Sequence, residues 1–460
     1  MAKNNKPKPG AARCPGVSVQ DLLNNDSQSV PDYLIEQSYE FLGDEDIPFE
    51  RYTSREFFER EIQDMWPRTW QWACREEHIP EPGDYYVYDF GPYSVIVARS
   101  EDGNIHAYRN VCMHRGTRLK PAFSCGMSTE IRCPYHGWSW NLDGSLKSIP
   151  CEWDLPHVKR EESALTPVRA EMWGGFIFIN LDPDAVPLLE YLHPLPDHID
   201  GKLFENRYVA IHVQKELNCN WKIASEAFLE AYHVMETHPQ LMRTNGDANT
   251  QYDFYGDNIN RLINLAGSPS AFLTEKQTEQ EILDMFLIGD RSDVGDKLVV
   301  PEGSTARKVM AQFFRDSVSD NPDLDLSQLC DSEIVDSIAY YVFPNQQFFS
   351  GVSFPICYRF RPLGMNQDRS VFDLLMLKTR PQDGSDFETA EPVRIKSEES
   401  YTIVPGMDPY IGHVYDQDTS NMEAAHEGAM GASKSGATLA NYQEIRIRHA
   451  HRTLMKYLAD

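Results

Sequence analysis

Four residues in two short segments, Cys112-x-His114 and Cys133-x-x-His136, have the types and spacing of a metal site. The segments read "NVCMHRGTRLK" and "IRCPYHGWSWNLDGSLK", and each offers one thiolate and one imidazole. Two Cys and two His can hold one zinc ion tetrahedrally. The spacing argues otherwise. Zinc fingers usually pair Cys with Cys and His with His, whereas one of each per loop suits two irons, the sulfurs on one and the nitrogens on the other. Such a cluster moves one electron at a time and has no open coordination position, so chemistry on a substrate needs a second centre. His233 and His238 are the candidates for it. Five residues at about 100° each leave two side chains roughly 140° apart on a regular helix, too far for one ion, so the chain must bend between them. Pro239 biases His238 away from helical geometry. Two histidines at a helix end, with a carboxylate from elsewhere, match the facial triad of non-heme Fe(II) oxygenases.

"NVCMHRGTRL" and "CPYHGWSWNLDGSL" closely resemble the two cluster-binding boxes of Rieske non-heme iron oxygenases, including HRG after the first pair and HGW after the second. The interval between the boxes is slightly long for that family, and the extra residues are expected in a loop containing Cys125 and Gly126. The resemblance continues in Glu226-Ala227-Phe228-Leu229-Glu230-Ala231-Tyr232-His233 followed by His238, similar to the family's E-N-F-x-E-x-Y-H run and its second histidine. Ala227 departs from the usual asparagine, which spares the ligands and alters pocket polarity. "VYDQDTSNMEAA" resembles the family's acid-rich segment and implies Asp418 as the third iron ligand, with Asp416 as the competitor.

What the resemblance implies is an oxygenase (alpha) component. It would carry one Rieske [2Fe–2S] cluster, on Cys112, His114, Cys133 and His136, and one mononuclear Fe(II), on His233, His238 and Asp418, with O2 as co-substrate. Glu230 would bridge His136 of one subunit and His233 of the next in an α3 homotrimer, with α3β3 as the variant assembly. Electrons would come from an NAD(P)H-dependent reductase, with or without a ferredoxin, because no flavin or nicotinamide fingerprint is present. The product would be a cis-diol, a hydroxylated compound or a demethylated one. The aromatic-rich catalytic half favours an aromatic or other apolar small molecule, and Arg243 is either a carboxylate anchor or a salt-bridge residue. Two other readings compete. One is an electron-transfer or binding module with a zinc or Rieske-like site and a non-catalytic second domain. The other is a di-iron carboxylate bundle built on Glu230-x-x-His233 and Glu423-x-x-His426. The bundle needs four long helices, and "EAAHEGAMGASKSGATL" is too glycine-rich to supply one comfortably.

The elements that must position these residues follow from texture. The 460 residues exceed one core and divide into domains. Residues 1–45 read as a tail and lead-in, the first thirty or so mobile. Residues 46–183 read as a helix plus the β domain, and 184–460 as the catalytic domain, with a helical insertion at 268–336. "TSREFFEREIQDMW" predicts a helix with a capping box at Thr53 and Glu56. "YYVYDF", "YSVIVARS", "IHAYRNV" and "GGFIFINLD" predict short strands whose loops hold both Cys/His pairs. Later, "RYVAIHVQKEL", "AYYVFPNQQFF", "PICYRFRPLG" and "SVFDLLMLKTR" predict a second sheet, and "WKIASEAFLEAYHVMETH" and "ANYQEIRIRHAHRTLMKYL" predict helices. The fold class is α+β, a small all-β Rieske domain inserted before a helix-grip catalytic domain of antiparallel sheet plus helices. With 43 basic against 70 acidic residues, the net charge of −27 opposes nucleic-acid and anionic-membrane partners. No segment approaches the length of a membrane span. Nine cysteines without a secretory signal point to a reducing, cytoplasmic setting.

Overall fold

Strands bounded by Gly, Asn and Asp turns build the first half of the chain. The computed structural model describes residues 8–286, 298–317, 325–381, 385 and 387–459. Seven antiparallel strands form one sheet in the order Gln71–Arg75, Phe176–Asn180, Pro167–Trp173, Ile105–Arg109, Tyr93–Arg99, Asp84–Phe90, Cys125–Met127. The residues expected in a loop around Cys125 form that last edge strand, with Tyr86 opposite Cys125 and Tyr85 opposite Gly126. A three-stranded sheet of Ile131–Arg132, Ser139–Trp140 and Leu146–Ser148 packs on this one through Ile96, Tyr108, Trp138 and Trp140.

The helix before the β domain starts one residue later than its capping box predicts. Thr53 closes a preceding turn, and its hydroxyl donates to the Phe49 carbonyl at 3.0 Å, so it is not free to cap. Ser54 caps Arg55–Arg60 instead, accepting from the Phe57 N–H at 3.2 Å. A π-helical turn, Glu61–Met65, follows directly.

The second sheet has eight strands, in the order Asn245–Tyr255, Ile259–Ala266, Ser337–Val342, Gln346–Phe349, Ile356–Pro362, Ser370–Thr379, Arg207–Leu217, Val393–Ile395. "AYYVFPNQQFF" is a hairpin, Ser337–Val342 with Gln346–Phe349. The pair Asn245–Tyr255 and Ile259–Ala266 was not legible from the sequence, because the first strand is rich in Asn, Asp, Thr and Gln. Most of those polar groups are buried, and several pair within the sheet: Arg261 donates to Asp253 at 2.6 Å and Asn264 to Thr250 at 2.8 Å. The insertion contains helices Glu279–Phe286, Ala306–Ser317 and Asp331–Val335 around a core of Ile282, Leu283, Met310 and Ile334. Its residues 287–297 and 318–324 lie outside the described residues, as do residues 1–7 of the expected tail.

From Val19 onward that tail is packed rather than loose. Val19, Leu23 and Leu34 are buried in the core beneath the second sheet, and the Asp26 carboxylate accepts from the Ser332 N–H at 2.9 Å. The β domain is joined to the second sheet by a buried charge cluster. Asp373 accepts from Arg359 Nε at 3.2 Å and Arg361 Nε at 3.0 Å. The same guanidinium groups donate across the seam, Arg359 to the Ala73 carbonyl at 2.9 Å and Arg361 to the Asp89 carbonyl at 2.6 Å. Flanking arginines hold the Asp373 carboxyl well below the usual carboxylate range although burial opposes them. Among the described residues no helix is long and apolar enough to cross a membrane.

Candidate metal centres

The first site is built by two tight loops. Cys112 and His114 follow strand Ile105–Arg109, and Cys133 and His136 sit between Ile131–Arg132 and Ser139–Trp140. Each loop closes on itself: the Gly116 N–H reaches the Cys112 carbonyl at 3.0 Å, and the Gly137 N–H reaches the Cys133 carbonyl at 3.1 Å. Gly116 and Gly137 have φ of +72° and +75°, a conformation that glycine adopts without strain. Cys112 and Cys133 are buried, unbridged and hydrogen-bonded to each other. The His114 and His136 rings meet edge to face, centroids 4.8 Å apart, and His114 stacks on Trp138 at 5.1 Å.

Whether these residues fit a cluster or a single ion can be judged from their placement. Among the described residues, the one group of three or more His, Cys, Asp or Glu with ligand atoms all within 4.8 Å of one another is His233, His238 and Asp418. The Cys/His quartet is therefore too spread for one tetrahedral ion, while sulfur beside sulfur and imidazole beside imidazole suits a two-iron cluster. The buried His114 Nδ1, which has no hydrogen-bond partner, is an orphan of the kind a metal satisfies.

The second site is assembled from distant chain. The helix expected over 221–238 breaks early. Trp221–Glu226 is helical, and one further turn, Val234–Thr237, follows after an irregular stretch. Side chains take the backbone amides that a continuous helix would have used. The Ala231 N–H donates to the Tyr252 hydroxyl at 3.2 Å, and the His233 N–H donates to Glu230 at 2.9 Å. His238, before Pro239, has φ −126° and ψ 58°, outside the helix. The break brings the two rings to a centroid distance of 5.4 Å.

Asp418 comes from a 23-residue helix, Pro409–Gly431, capped by Asp408. The glycine-rich stretch expected to be non-helical thus continues the helix as far as Gly431. Buried Tyr415, Asp418, Thr419, Met422 and His426 form one helical face, and that packing outweighs about 1 kcal/mol per exposed glycine. Asp418 Oδ1 lies 2.7 Å from His238 Nε2 and 3.6 Å from His233 Nε2. The outward nitrogens are both occupied, His233 Nδ1 by Glu230 at 2.7 Å and His238 Nδ1 by Gln417 at 2.9 Å. Burial alone would lower the His233 pKa; Glu230 and Asp418 raise it to about 9. This donor set, two imidazoles and one carboxylate with both second nitrogens anchored, fits a mononuclear iron.

Several candidates lie elsewhere. Asp416 accepts from Ser400 Oγ at 2.5 Å and the Tyr401 N–H at 3.0 Å, pinning the helix to the neighbouring loop. Glu423 accepts from the Asn218 N–H at 2.8 Å, and His426 meets Asp368 at 3.2 Å. The helix that a di-iron bundle would need does form, but its Glu/His pair does not converge with Glu230 and His233. Arg243 is exposed and faces Glu281. A cavity of about 270 Å³ adjoins the triad. Ala227, Ile223, Met422, Leu439 and Ile447 supply its apolar wall, and Glu226, Glu230 and Glu444 its carboxylates. Gln417, Glu444 and the Tyr52–Glu226–His451 network were not found by sequence reasoning: Gln417 meets His238 across 179 residues and Tyr52 meets His451 across 399, and Glu444 reaches the cavity only through the fold.

Both halves of this architecture have relatives. The Rieske [2Fe-2S] domain family matches residues 69–159, and the ring hydroxylating alpha subunit (catalytic domain) family matches 204–460. The chain belongs to the ring-hydroxylating alpha subunit family, whose members pair a Rieske cluster with a mononuclear iron and use O2. It is 30% identical over 228 residues to the glycine betaine monooxygenase oxygenase subunit of Pseudomonas aeruginosa, covering 50% of this chain and 52% of that one. It is 34% identical over 200 residues to the large oxygenase component of the naphthalene 1,2-dioxygenase system of Pseudomonas putida, covering 41% and 43%. The chain thus spans about half the length of the curated relatives it matches. In fold it is similar to a quaternary ammonium Rieske monooxygenase, with TM-score 0.64, 18% identity and 90% and 95% of the two chains covered. It is similar also to naphthalene 1,2-dioxygenase with indole bound, with TM-score 0.63, 19% identity and 92% and 93% covered.

Proposed function

We propose that this chain is the oxygenase component of a multicomponent Rieske oxygenase that hydroxylates a small organic molecule with O2 and externally supplied electrons. The observation that carries the reading is the convergence of His233, His238 and Asp418 in a chain that also presents the Cys112, His114, Cys133, His136 quartet. In this reading the quartet holds the [2Fe–2S] cluster and the triad holds Fe(II). When bound, the two groups supply single-electron delivery and O2 activation respectively. The chain does the rest. Glu230 and Gln417 accept from the Nδ1–H of His233 and His238, which fixes the tautomer and aims both Nε2 lone pairs inward. Phe228, Tyr358, Phe372 and Tyr415 pack as an aromatic layer. Among the described residues the cavity wall contains neither Lys nor Arg; its apolar side chains suit an aromatic or other apolar molecule, and its carboxylates oppose an anionic group.

Electrons would enter through His136 of one copy and pass by Glu230 to His233 of a second, within an α3 ring or an α3β3 assembly. An apolar rim at the cluster loops supports a docked neighbour: Val111, Met113 and Tyr135 are exposed, and Trp153 is 81% exposed. The supplier would be an NAD(P)H-dependent reductase, with or without a ferredoxin. Nine unpaired cysteines support a reducing, cytoplasmic setting. The test is a single turnover of anaerobically reduced protein with ¹⁸O2 and aromatic, methyl-ether and N-methyl compounds. Label from O2 in product, lost in Asp418→Ala, is expected. Turnover retained in both Asp418→Ala and His233→Ala would overturn the reading.

A further inference from the structure

Besides Asp418 of the triad, three carboxylates line the cavity, and they differ in what is left for them to do. Glu230 has both oxygens engaged by His233, from the backbone N–H at 2.9 Å and from Nδ1 at 2.7 Å. Glu226 also has both engaged, by the Tyr52 hydroxyl at 2.9 Å and by His451 Nε2 at 2.8 Å. Glu444 accepts one hydrogen bond among the described residues, from the Ala440 N–H to Oε2 at 2.6 Å. Its Oε1 has no hydrogen-bond partner among the described residues, and the side chain lines the cavity that His233 and Asp418 also line.

Burial and the negative charges of Glu230 and Glu226 push the Glu444 carboxyl up to about 7, against the weaker opposite pull of the Ala440 N–H and Arg448. Tyr52, which also feels Glu444, has its own pKa raised well above the ordinary value and stays neutral. Near neutrality Glu444 has both a proton to give and an oxygen with no hydrogen-bond partner among the described residues to give it from.

The oxygenase reading creates a need for such a group. O2, two electrons and two protons convert R–H to R–OH plus water, or an arene to a cis-diol. The electrons come from the partner reductase, and the protons must reach a site whose walls are largely apolar. Resting on that reading, we propose that Glu444 is the proton-donating acid of this site. Its Oε1–H bond breaks, the proton passes into the cavity to oxygen being reduced at the triad, and the carboxylate left behind is re-protonated from solvent through the cavity.

Infrared difference spectroscopy and single-turnover kinetics on the full chain test this together. Wild type should show a protonated-carboxyl band that titrates near pH 7, absent in Glu444→Gln and shifted to lower pH in Glu226→Gln, which removes one of the two like charges. Glu444→Gln should keep the cluster absorption and iron content of wild type yet form product roughly 10²-fold more slowly at neutral pH, with the solvent isotope effect altered. Glu444→Asp should recover part of the rate. No band titrating between about pH 6 and 8 in wild type, or an unchanged rate and pH profile in Glu444→Gln, would overturn the assignment. Normal product with no band sinks Glu444 alone. A wild type that shows the band but makes no product sinks the donor role together with the oxygenase reading.

Discussion

The Cys/His quartet and the His/His/Asp triad are put together in opposite ways. The quartet comes from two adjacent tight loops of a small β domain, each loop closed by its own glycine, and its rim is open and apolar. The triad is closed across the fold, most tightly by His238 to Asp418 over 180 residues, between a broken helix and a long one. A site assembled from local loops depends on turn geometry and tolerates exposure. A site assembled across the fold depends on what holds its imidazoles in place, here Glu230 and Gln417. This difference predicts different sensitivities to substitution.

The largest effects separate the two sites. Cys133→Ser should abolish the cluster absorption while the triad still takes up ferrous iron. His238→Ala should do the reverse, and either should lower turnover by roughly 10³-fold or more. Metal analysis and visible absorption of both variants check this. Loss of both metals in either variant would mean that the sites are not independent. Next, Gln417→Ala should weaken iron binding at the triad by roughly 10- to 100-fold, through the freed His238 ring, and leave the cluster spectrum untouched. Equilibrium iron titration measures it.

The seam between the regions should fail in acid. His212 and His78 are buried and their pKa values are lowered by desolvation, so the unfolded chain binds more protons and stability falls as pH drops below about 6.5. Asp373 has the opposite chemistry with the same sign. Its folded pKa is depressed, so its contribution is present above the unfolded value near 3.9 and is lost as pH falls below it. Breaking the cluster with Asp373→Ala should cost about 3–5 kcal/mol at neutral pH by denaturant unfolding. The smallest change expected is Ser54→Ala, about 1 kcal/mol from the lost cap.

How much of this was legible depends on distance along the chain. Cys112, His114, Cys133 and His136 announce themselves because loop spacing is local. His233 and His238 do so only once a bend is assumed, and the bend proved larger than Pro239 alone implies, because Tyr252 and Glu230 capture amides upstream. Asp418 could be named only through resemblance, since nothing local distinguishes it from Asp416. The helix through Gly428 and Gly431 was misread because propensity is visible in sequence and a buried stripe paired with distant residues is not. Strand Asn245–Tyr255 was missed for a related reason: its buried polar groups look like a loop until Arg261 and Asn264 are placed beside them.

The central claim is two metal sites of different kinds in one chain, and iron Mössbauer spectroscopy of the anaerobically purified protein tests it most directly. Wild type should show the signature of a [2Fe–2S] cluster with one cysteine-ligated and one histidine-ligated iron, plus a separate high-spin ferrous component, and Asp418→Ala should lose only the ferrous component. A colourless zinc protein, or an Asp418→Ala spectrum that keeps the ferrous component, would contradict it.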